Sequence, residues 1–243
     1  MEHRKFCTAG STEALKHAAS ALWAQGWEYD ASAKILLLPV PSFDLDGRII
    51  GGGRIEDVLT EDMTVFGGNL HHKALEKHHC IDLLQDARYL AENAAITAYC
   101  ALRYAENALP VILRECPVLI VGWGRIGKCL ADLLLRMGAD VHVYARKERD
   151  QAMLRALGYP VVDHLDDKRA LQGFRVIFNT VPAPILSAGF LPKNAVLIDL
   201  ASVAGTDRKD VIWARGLPNK DAPESSGQLI AKTVHRLGKE YML

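Results

Sequence analysis

The segment VLIVGWGRIGKCLADLLLRMGADVHVYARKERD, residues 118–150, constrains the fold of this chain more than any other. An apolar run leads into the spacing G-x-G-x-x-G, formed by Gly122, Gly124 and Gly127, and apolar residues at helical spacing follow it. A strand, this glycine spacing and a helix within a unit of about 30 residues are typical of a dinucleotide-binding turn. The first glycine allows the tight turn, the second lets the backbone approach the pyrophosphate, and the third lets helix and strand pack closely.

The remaining cofactor contacts are predicted from the start of this helix and from the end of the next strand. Free N–H groups at a helix start bind anions, so Arg125 and Ile126 join the predicted phosphate site. An NAD site has an Asp or Glu after the second strand, but this chain has Ala145, Arg146 and Lys147 there. A guanidinium binds a 2′-phosphate through two parallel hydrogen bonds, whereas a carboxylate repels it. This favours NADP over NAD; the alternative is that the basic residues form only a solvated loop.

Strands alternate with helices along most of the chain, which predicts an α/β protein in two domains. Residues 117–224 are predicted to form a Rossmann-type, doubly wound parallel sheet, and residues 1–92 a second, smaller α/β domain that binds substrate. A helical linker is expected over 93–116, within a long helix or a broken pair of helices spanning 86–109. A C-terminal helix over 225–243 is expected to return toward the first domain. In the first domain the strands are predicted at RKFCTA, AKILLLPV, MTVFGG and CIDLL, and a helix at TEALKHAASALWAQG.

The nicotinamide end of the cofactor is expected at the carboxyl ends of the later strands, because ligands of open α/β sheets bind there. The predicted strands VIFNTV and AVLIDLA place Thr180, Val181, Pro182 and Ala201 at this edge. The two domains are expected to enclose a cleft.

Composition excludes several classes of partner. The formal net charge is zero, with 29 basic and 29 acidic residues, so no strong field attracts nucleic acid or an anionic membrane. No signal peptide is recognised, and the apolar run ILLLPV is far too short to span a bilayer. Five scattered cysteines without a C-x-x-C spacing indicate buried thiols in a reducing compartment. A cytoplasmic protein is therefore expected.

Four histidines, at positions 71, 72, 78 and 79, raise the question of a metal site. Members seven residues apart would lie two helical turns, or about 10 Å, from one another. One zinc ion needs its ligands at about 2 Å from itself. No metal site is therefore predicted.

Several segments resemble, in order, the A subunit of bacterial dipicolinate synthase. They are CIDLLQDARYLAENAAITAYCAL, VLIVGWGRIGKCLADLLLRMGADVHVYARK, IFNTVPAPIL, VLIDLAS and GLPNKDAPESSGQLIAKT. The similarity covers residues 80–235, whereas the first 79 residues match poorly and look shortened. The resemblance implies a two-domain fold, NADP binding and a dehydrogenation that aromatises a cyclic intermediate of the lysine pathway to dipicolinate during sporulation.

The linking helix departs from this family, which has the pattern N-A-x-P-T-A-E-G there. Here Ile96, Tyr99 and Cys100 replace its Pro, Glu and Gly; we interpret Tyr99 as a packing residue. If that Glu serves catalysis, this chain has lost or altered it. The alternatives are a non-catalytic, NADP-binding sensor or regulatory protein, or a two-domain dehydrogenase of another small carboxylate. A 2-hydroxyacid dehydrogenase needs an Arg and a His, which the segments IDLASVAG and GLPNKDAP lack.

The resemblance also implies which segments form the substrate site. From them Lys220 is predicted to bind a carboxylate of a small dicarboxylate substrate, and Ser202 and Asn93 to orient it by donating hydrogen bonds. His71 is the predicted base, since a histidine can accept a proton near neutral pH. The alternative for each is an ordinary surface or capping role. A homodimer is expected, and a second type of subunit is a further possible partner.

Overall fold

The computed structural model describes residues 4–241 and divides into two compact units. The N-terminal unit comprises Met1–Asn93 together with Pro218–Leu243, and the central unit comprises Ala94–Leu217. Each unit is built on a parallel sheet of five strands, which confirms the predicted α/β fold class. Because the C-terminal segment belongs to it, the N-terminal unit is nearly as long as the central unit. No helix between residues 4 and 241 has both the length and the apolar character needed to cross a bilayer.

The sheet of the N-terminal unit has the strand order β2-β1-β3-β4-β5. Its strands are β1 (Lys5–Thr8), β2 (Glu28–Tyr29), β3 (Ile35–Leu37), β4 (Thr64–Gly67) and β5 (His79–Asp82). Helix α1 (Glu13–Ala24) joins β1 to β2, and short 3-10 helices occur at Ile55–Asp57, Lys73–Leu75 and Leu83–Gln85. The sequence patterns predicted all of these strands except β2. That strand is two exposed residues long, so it has no apolar alternation to reveal it.

Helix α1 forms where the sequence supplies both a cap and an apolar face. The side chain of Thr12 accepts a hydrogen bond from the N–H of Leu15, which satisfies one of the free donors at the helix start. Buried residues recur at helical spacing along the helix, at Ala14, Leu15, Ala18 and Leu22.

Helix α2 (Ala87–Ala108) is a single helix of 22 residues. The sequence had left open a long helix or a broken pair in this segment. It contains no Pro or Gly between residues 87 and 108, so nothing in the chain interrupts its backbone hydrogen bonds.

The central unit alternates strands and helices in the predicted manner. Its elements are β6 (Pro117–Val121), α3 (Arg125–Arg136), β7 (Asp140–Tyr144), α4 (Glu148–Ala156), α5 (Lys168–Leu171), β8 (Val176–Asn179), β9 (Val196–Asp199) and β10 (Ile212–Trp213). The sheet order is β10-β9-β8-β6-β7. Val161, which lies outside the named strands, forms a parallel bridge to Val143 of β7. The strand order reverses between β6 and β8, which is where ligands bind in doubly wound sheets.

The C-terminal segment, with α6 (Leu217–Asp221) and α7 (Pro223–Glu240), packs on the N-terminal unit. Helix α7 lies against α1, and Gly227 allows the close approach because a Cβ there would lie 2.5 Å from the carbonyl oxygen of Ala14. Asn219 in α6 donates a hydrogen bond of 2.8 Å from Nδ2 to the carbonyl of Val40. Residues 218–224, which the sequence analysis placed in the dinucleotide-binding domain, therefore belong to the N-terminal unit.

Candidate functional site

The glycine turn of the central unit connects β6 to α3 at the point where the strand order reverses. Gly122 has φ +108°, a conformation that favours glycine. A Cβ on Gly122 would overlap the Oγ1 atom of Thr180 and lie 2.9 Å from Cγ2 of Val181. Thr180 is fixed to the same turn, since its N–H and its hydroxyl both donate to the carbonyl of Val121, at 2.9 and 3.0 Å. The turn thus lies against the carboxyl end of β8.

The other two glycines of the turn differ in what surrounds them. A Cβ on Gly127 would overlap the carbonyl oxygen of Gly122, so glycine is needed there for the helix to pack on the turn. Apart from its two chain neighbours, no described residue has an atom within 4 Å of the place that a Cβ on Gly124 would take. Gly124 is the N-cap of α3 and provides no side-chain hydrogen bond to the helix. The start of α3, with the N–H groups of Arg125 and Ile126, therefore has no side-chain cap, and an uncapped helix start can bind a pyrophosphate.

A basic pair follows the end of β7. The carbonyl of Tyr144 accepts a hydrogen bond of 2.9 Å from the N–H of Gly122, which places this strand end beside the glycine turn. Ala145 is buried, and its carbonyl accepts a hydrogen bond of 2.8 Å from Nε2 of Gln151. The side chains of Arg146 and Lys147 are exposed and make no hydrogen bond or ion pair with any residue between 4 and 241. Both cations are thus available to an anionic ligand.

Trp123, between the first two glycines, is half-buried. Its ring meets that of Tyr159 edge-on, with 5.5 Å between the centroids, and Nζ of Lys128 lies 5.9 Å from the Trp123 ring. Burial raises the pKa of the Tyr159 hydroxyl, with a smaller contribution from Asp132. These contacts hold an aromatic side chain at the rim of the open turn.

A buried polar pair supports the loops after β8 and β9. Nδ2 of Asn179 donates to Oδ1 of Asp199 at 2.9 Å and to the carbonyl of Val181 at 3.1 Å. Asp199 also accepts hydrogen bonds from the N–H groups of Ala201 and Gly205, at 3.0 and 2.8 Å. The pair fixes both loops that were predicted to contact nicotinamide. The pair was not predicted, although each residue stands at the end of an apolar run, where a polar residue needs an explanation.

The predicted substrate residues are divided between the two units. His71, in the loop after β4, and Lys220, in α6, are exposed residues of the N-terminal unit, and Asn93 is half-buried on α2. Ser202 is exposed in the loop after β9 of the central unit. The side chains of His71, Ser202 and Lys220 make no hydrogen bond or ion pair within the described residues 4–241. Their predicted roles stay predictions.

One residue in these segments differs from the sequence interpretation, and another was not selected by it. Tyr99 is 61% exposed, so the interpretation of this residue as a packing residue is wrong. In the segment GLPNK it is Asn219, the neighbour of Lys220, that makes structural contacts. Besides its bond to Val40, Asn219 accepts a hydrogen bond of 2.9 Å at Oδ1 from the hydroxyl of Ser226.

The four histidines do not lie on one helix, so the spacing argument used for them does not apply. His71 lies in a loop, His72 caps a 3-10 helix by accepting from the N–H of Ala74, and His79 begins β5. Within residues 4–241 no group of three or more His, Cys, Asp or Glu side chains is placed to hold a metal ion.

The two parallel five-stranded sheets define a two-unit α/β protein, and the central sheet, with its glycine turn at the reversal of strand order, is of the Rossmann type. Comparison with solved structures gives a more specific similarity, to the A subunit of dipicolinate synthase. The structure from Bacillus halodurans matches with a TM-score of 0.80 at 21% identity, over 96% of this chain and 97% of that one. The structure from Bacillus subtilis matches with a TM-score of 0.80 at 20% identity, over 100% of this chain and 98% of that one.

A transhydrogenase from Sinorhizobium meliloti is more distant, with a TM-score of 0.69 at 13% identity, over 98% of this chain and 94% of that one. Comparisons with protein-family models and with curated protein sequences give no match. At these identities the similarity establishes the fold. It extends across the first 79 residues, where the sequence resembles the dipicolinate synthase family only poorly.

Proposed function

We propose that this protein is an NADP-dependent oxidoreductase that converts a cyclic dihydro- or tetrahydrodipicolinate-type intermediate to dipicolinate. The observation that carries the cofactor proposal is the open start of α3 at Gly124 beside the unpaired cations of Arg146 and Lys147. The similarity to the A subunit of dipicolinate synthase supports the choice of substrate. The proposed setting is the cytoplasm of a sporulating mother cell.

The residues of the central unit fit a bound NADP. The N–H groups at the start of α3 bind the pyrophosphate, and Arg146 and Lys147 bind the 2′-phosphate. Thr180, Val181, Pro182 and Ala201 lie at the carboxyl ends of β8 and β9, where nicotinamide binds. When bound in the oxidised form, the cofactor supplies a hydride acceptor, of which a dihydrodipicolinate needs one equivalent and a tetrahydrodipicolinate two.

The residues proposed for the substrate act on its carboxylates and on the proton that aromatisation releases. Lys220 binds a carboxylate, since a desolvated carboxylate without a partner is costly. Ser202 and Asn93 donate hydrogen bonds that orient the ring. His71 accepts the proton.

The test is an assay of NADP reduction with the cyclic intermediate, with and without candidate partner subunits. We expect turnover by the wild type and a large loss in Lys220→Ala. The matched control is Lys77→Ala, another exposed lysine of the N-terminal unit that makes no hydrogen bond or ion pair within residues 4–241. Turnover that Lys220→Ala leaves unchanged would remove the proposed role of this lysine and leave the oxidoreductase standing.

A non-catalytic NADP sensor or regulatory protein is the second candidate function. The observation that favours it is Tyr99, which stands exposed at the position where the resembling family has Glu. Tight NADP binding without turnover under any partner condition would support the sensor. Turnover of a different small carboxylate in a substrate panel would instead support a related dehydrogenase.

The proposed assembly is a homodimer, with or without a second type of subunit. Light scattering coupled to gel filtration measures the mass directly. A mass of one chain, 26.7 kDa, at all protein concentrations would contradict the dimer.

A further inference from the structure

One guanidinium of the central unit is anchored at the edge of the sheet that the nicotinamide is proposed to occupy. Arg215 follows β10, and its Nε donates a hydrogen bond of 2.9 Å to the carbonyl of Ala201, in the loop after β9. The guanidinium also stacks over Trp213, with Cζ 4.1 Å from the centre of the ring. These two contacts fix its position and plane, which reduces the entropy lost when a ligand binds.

The outer nitrogens of Arg215 have no partner in the protein. Neither Nη atom makes a hydrogen bond or ion pair with any residue from 4 to 241, although the side chain is half-buried. Arg208 is the other half-buried arginine among residues 94–217 and shows the opposite arrangement. Its nitrogens bond Asp210 and the carbonyls of Pro192, Lys193 and Ala195. Arg208 therefore has a structural role, whereas Arg215 retains a planar pair of donors for an anion.

The acids near Arg215 do not supply this anion. Asp199, at the end of the neighbouring strand, is 1% exposed and accepts hydrogen bonds from Asn179, Ala201 and Gly205. No carboxylate between residues 4 and 241 lies within ion-pair distance of Arg215. A half-buried guanidinium without a counter-ion is stabilised when a ligand provides a carboxylate that accepts two parallel hydrogen bonds.

We propose that Arg215 binds a ring carboxylate of the substrate through its two Nη atoms, at the end of β9. This inference rests on the proposed function and assigns it a substrate-binding residue. It also gives a physical reason why the loop IDLASVAG can lack an arginine: the cation is supplied from the end of the neighbouring strand, β10.

The test measures binding of pyridine-2,6-dicarboxylate to the NADPH-loaded protein by calorimetry, in the wild type and in Arg215→Met. We expect the variant to bind the dicarboxylate about tenfold or more weakly, because a charge-assisted pair of hydrogen bonds is lost. Its affinity for NADPH and its melting temperature should be unchanged. Arg215→Lys should recover part of the affinity, since it keeps the charge without the planar donors. The matched control is Arg175→Met, which removes an exposed arginine just before β8. This arginine lies at the amino ends of the strands, whereas Arg215 lies at their carboxyl ends.

The neutral analogue pyridine-2,6-dicarboxamide separates a carboxylate contact from a general structural effect. Its affinity for the wild type and for Arg215→Met should be nearly the same. The inference would be overturned if Arg215→Met weakened the binding of both ligands equally. It would also be overturned if the wild type and the variant bound the dicarboxylate with equal affinity, or if the wild type did not bind it.

Failure of the proposed function gives a different pattern. Loss of dicarboxylate affinity in Arg215→Met, with no turnover in the NADP assay, would uphold the carboxylate contact and overturn the enzyme. Turnover that is unchanged in Arg215→Met, together with unchanged dicarboxylate affinity, would uphold the enzyme and overturn the contact.

Discussion

Both units of this protein connect a strand to a helix through a glycine of positive φ, yet the two turns differ in what occupies them. Gly10 follows β1 with φ +99°, and Gly122 follows β6 with φ +108°. A Cβ on either glycine would meet the chain, at the carbonyl oxygen of Ile50 for Gly10 and at Thr180 for Gly122. In the N-terminal unit, however, the chain also closes the next position of the turn, because the hydroxyl of Ser11 donates to the carbonyl of Gly51 at 2.6 Å.

The starts of the two helices show the same difference. Thr12 caps α1 with its own side chain, whereas Gly124 offers α3 no side-chain cap and has open space beside it. A strand, a glycine and a helix therefore do not by themselves make an anion site. The helix start must also be left uncapped and uncovered, because a site filled by the chain has no N–H groups left for a ligand.

The largest expected effect separates the packing glycine from the ligand glycine in the central turn. Gly127→Ala places a methyl group on the carbonyl oxygen of Gly122, and this backbone atom cannot move without opening the turn. We expect the free energy of unfolding to fall by about 3 kcal/mol or more, measured by urea denaturation. Gly124→Ala is the control and should change stability by less than about 0.5 kcal/mol. Equal stability of the two variants would contradict this division of roles.

The next effect concerns the choice of cofactor. Arg146→Ala should weaken NADP binding by about 1–3 kcal/mol, the range for a lost charge-assisted hydrogen bond to a phosphate. NAD binding should change little, since NAD has no 2′-phosphate. Titration of both cofactors into wild type, Arg146→Ala and the exposed-arginine control Arg169→Ala checks this. Equal affinities of the wild type for NADP and NAD would show that the basic pair is only a solvated loop.

A smaller effect tests the comparison of the two turns directly. Gly124→Ala should weaken NADP about tenfold, because the methyl group occupies the space left for the pyrophosphate. Ser11→Ala, at the sealed turn of the N-terminal unit, should leave the NADP affinity unchanged. If instead Ser11→Ala lowered the affinity and Gly124→Ala did not, the ligand would have been assigned to the wrong turn.

The smallest expected effect is a pH dependence of the contact between Trp27, in the loop between α1 and β2, and His235 of α7. Nε1 of Trp27 donates a hydrogen bond of 2.9 Å to Nδ1 of His235. Burial lowers the pKa of His235 below 6.5, with further lowering by Lys239 and Arg4. Because the pKa of His235 is lower in the folded than in the unfolded state, the unfolded state takes up the proton first as the pH falls. The stability that neutral His235 contributes is therefore present above the unfolded-state pKa and is lost as the pH falls through the folded-state pKa.

The measurement is the melting temperature of wild type and His235→Gln between roughly pH 7.5 and 5.5. A glutamine can accept the hydrogen bond of Trp27 without titrating, so the variant should lose less stability over this range. Parallel curves for the two proteins would contradict a role of His235. NADP affinity should be the same in both, since the interaction lies in the N-terminal unit.

Much of the fold could be predicted because its determinants are local in sequence. The apolar run 118–121, the spacing of Gly122, Gly124 and Gly127 and the helical pattern after it are read within one short segment. The site was predicted less completely. Asn179 and Asp199 are 20 positions apart, and Asn219 bonds to Val40 from 179 positions away. The pairing of Asn179 with Asp199, and of Asn219 with Val40, joins residues too far apart in the chain to appear in a local pattern. The exposed residues Ser202 and Lys220 were predicted instead.

The sequence by itself determined the parallel α/β architecture, the glycine turn after β6 and the basic pair at the end of β7, since each depends on residues adjacent in the chain. Only the tertiary structure decided which glycine turn is open, that the segment packed on the N-terminal unit begins as early as Pro218, and that Arg215 is held on the carbonyl of Ala201. These features depend on contacts between distant segments, and their geometry exists only after the strands have been ordered in the sheet.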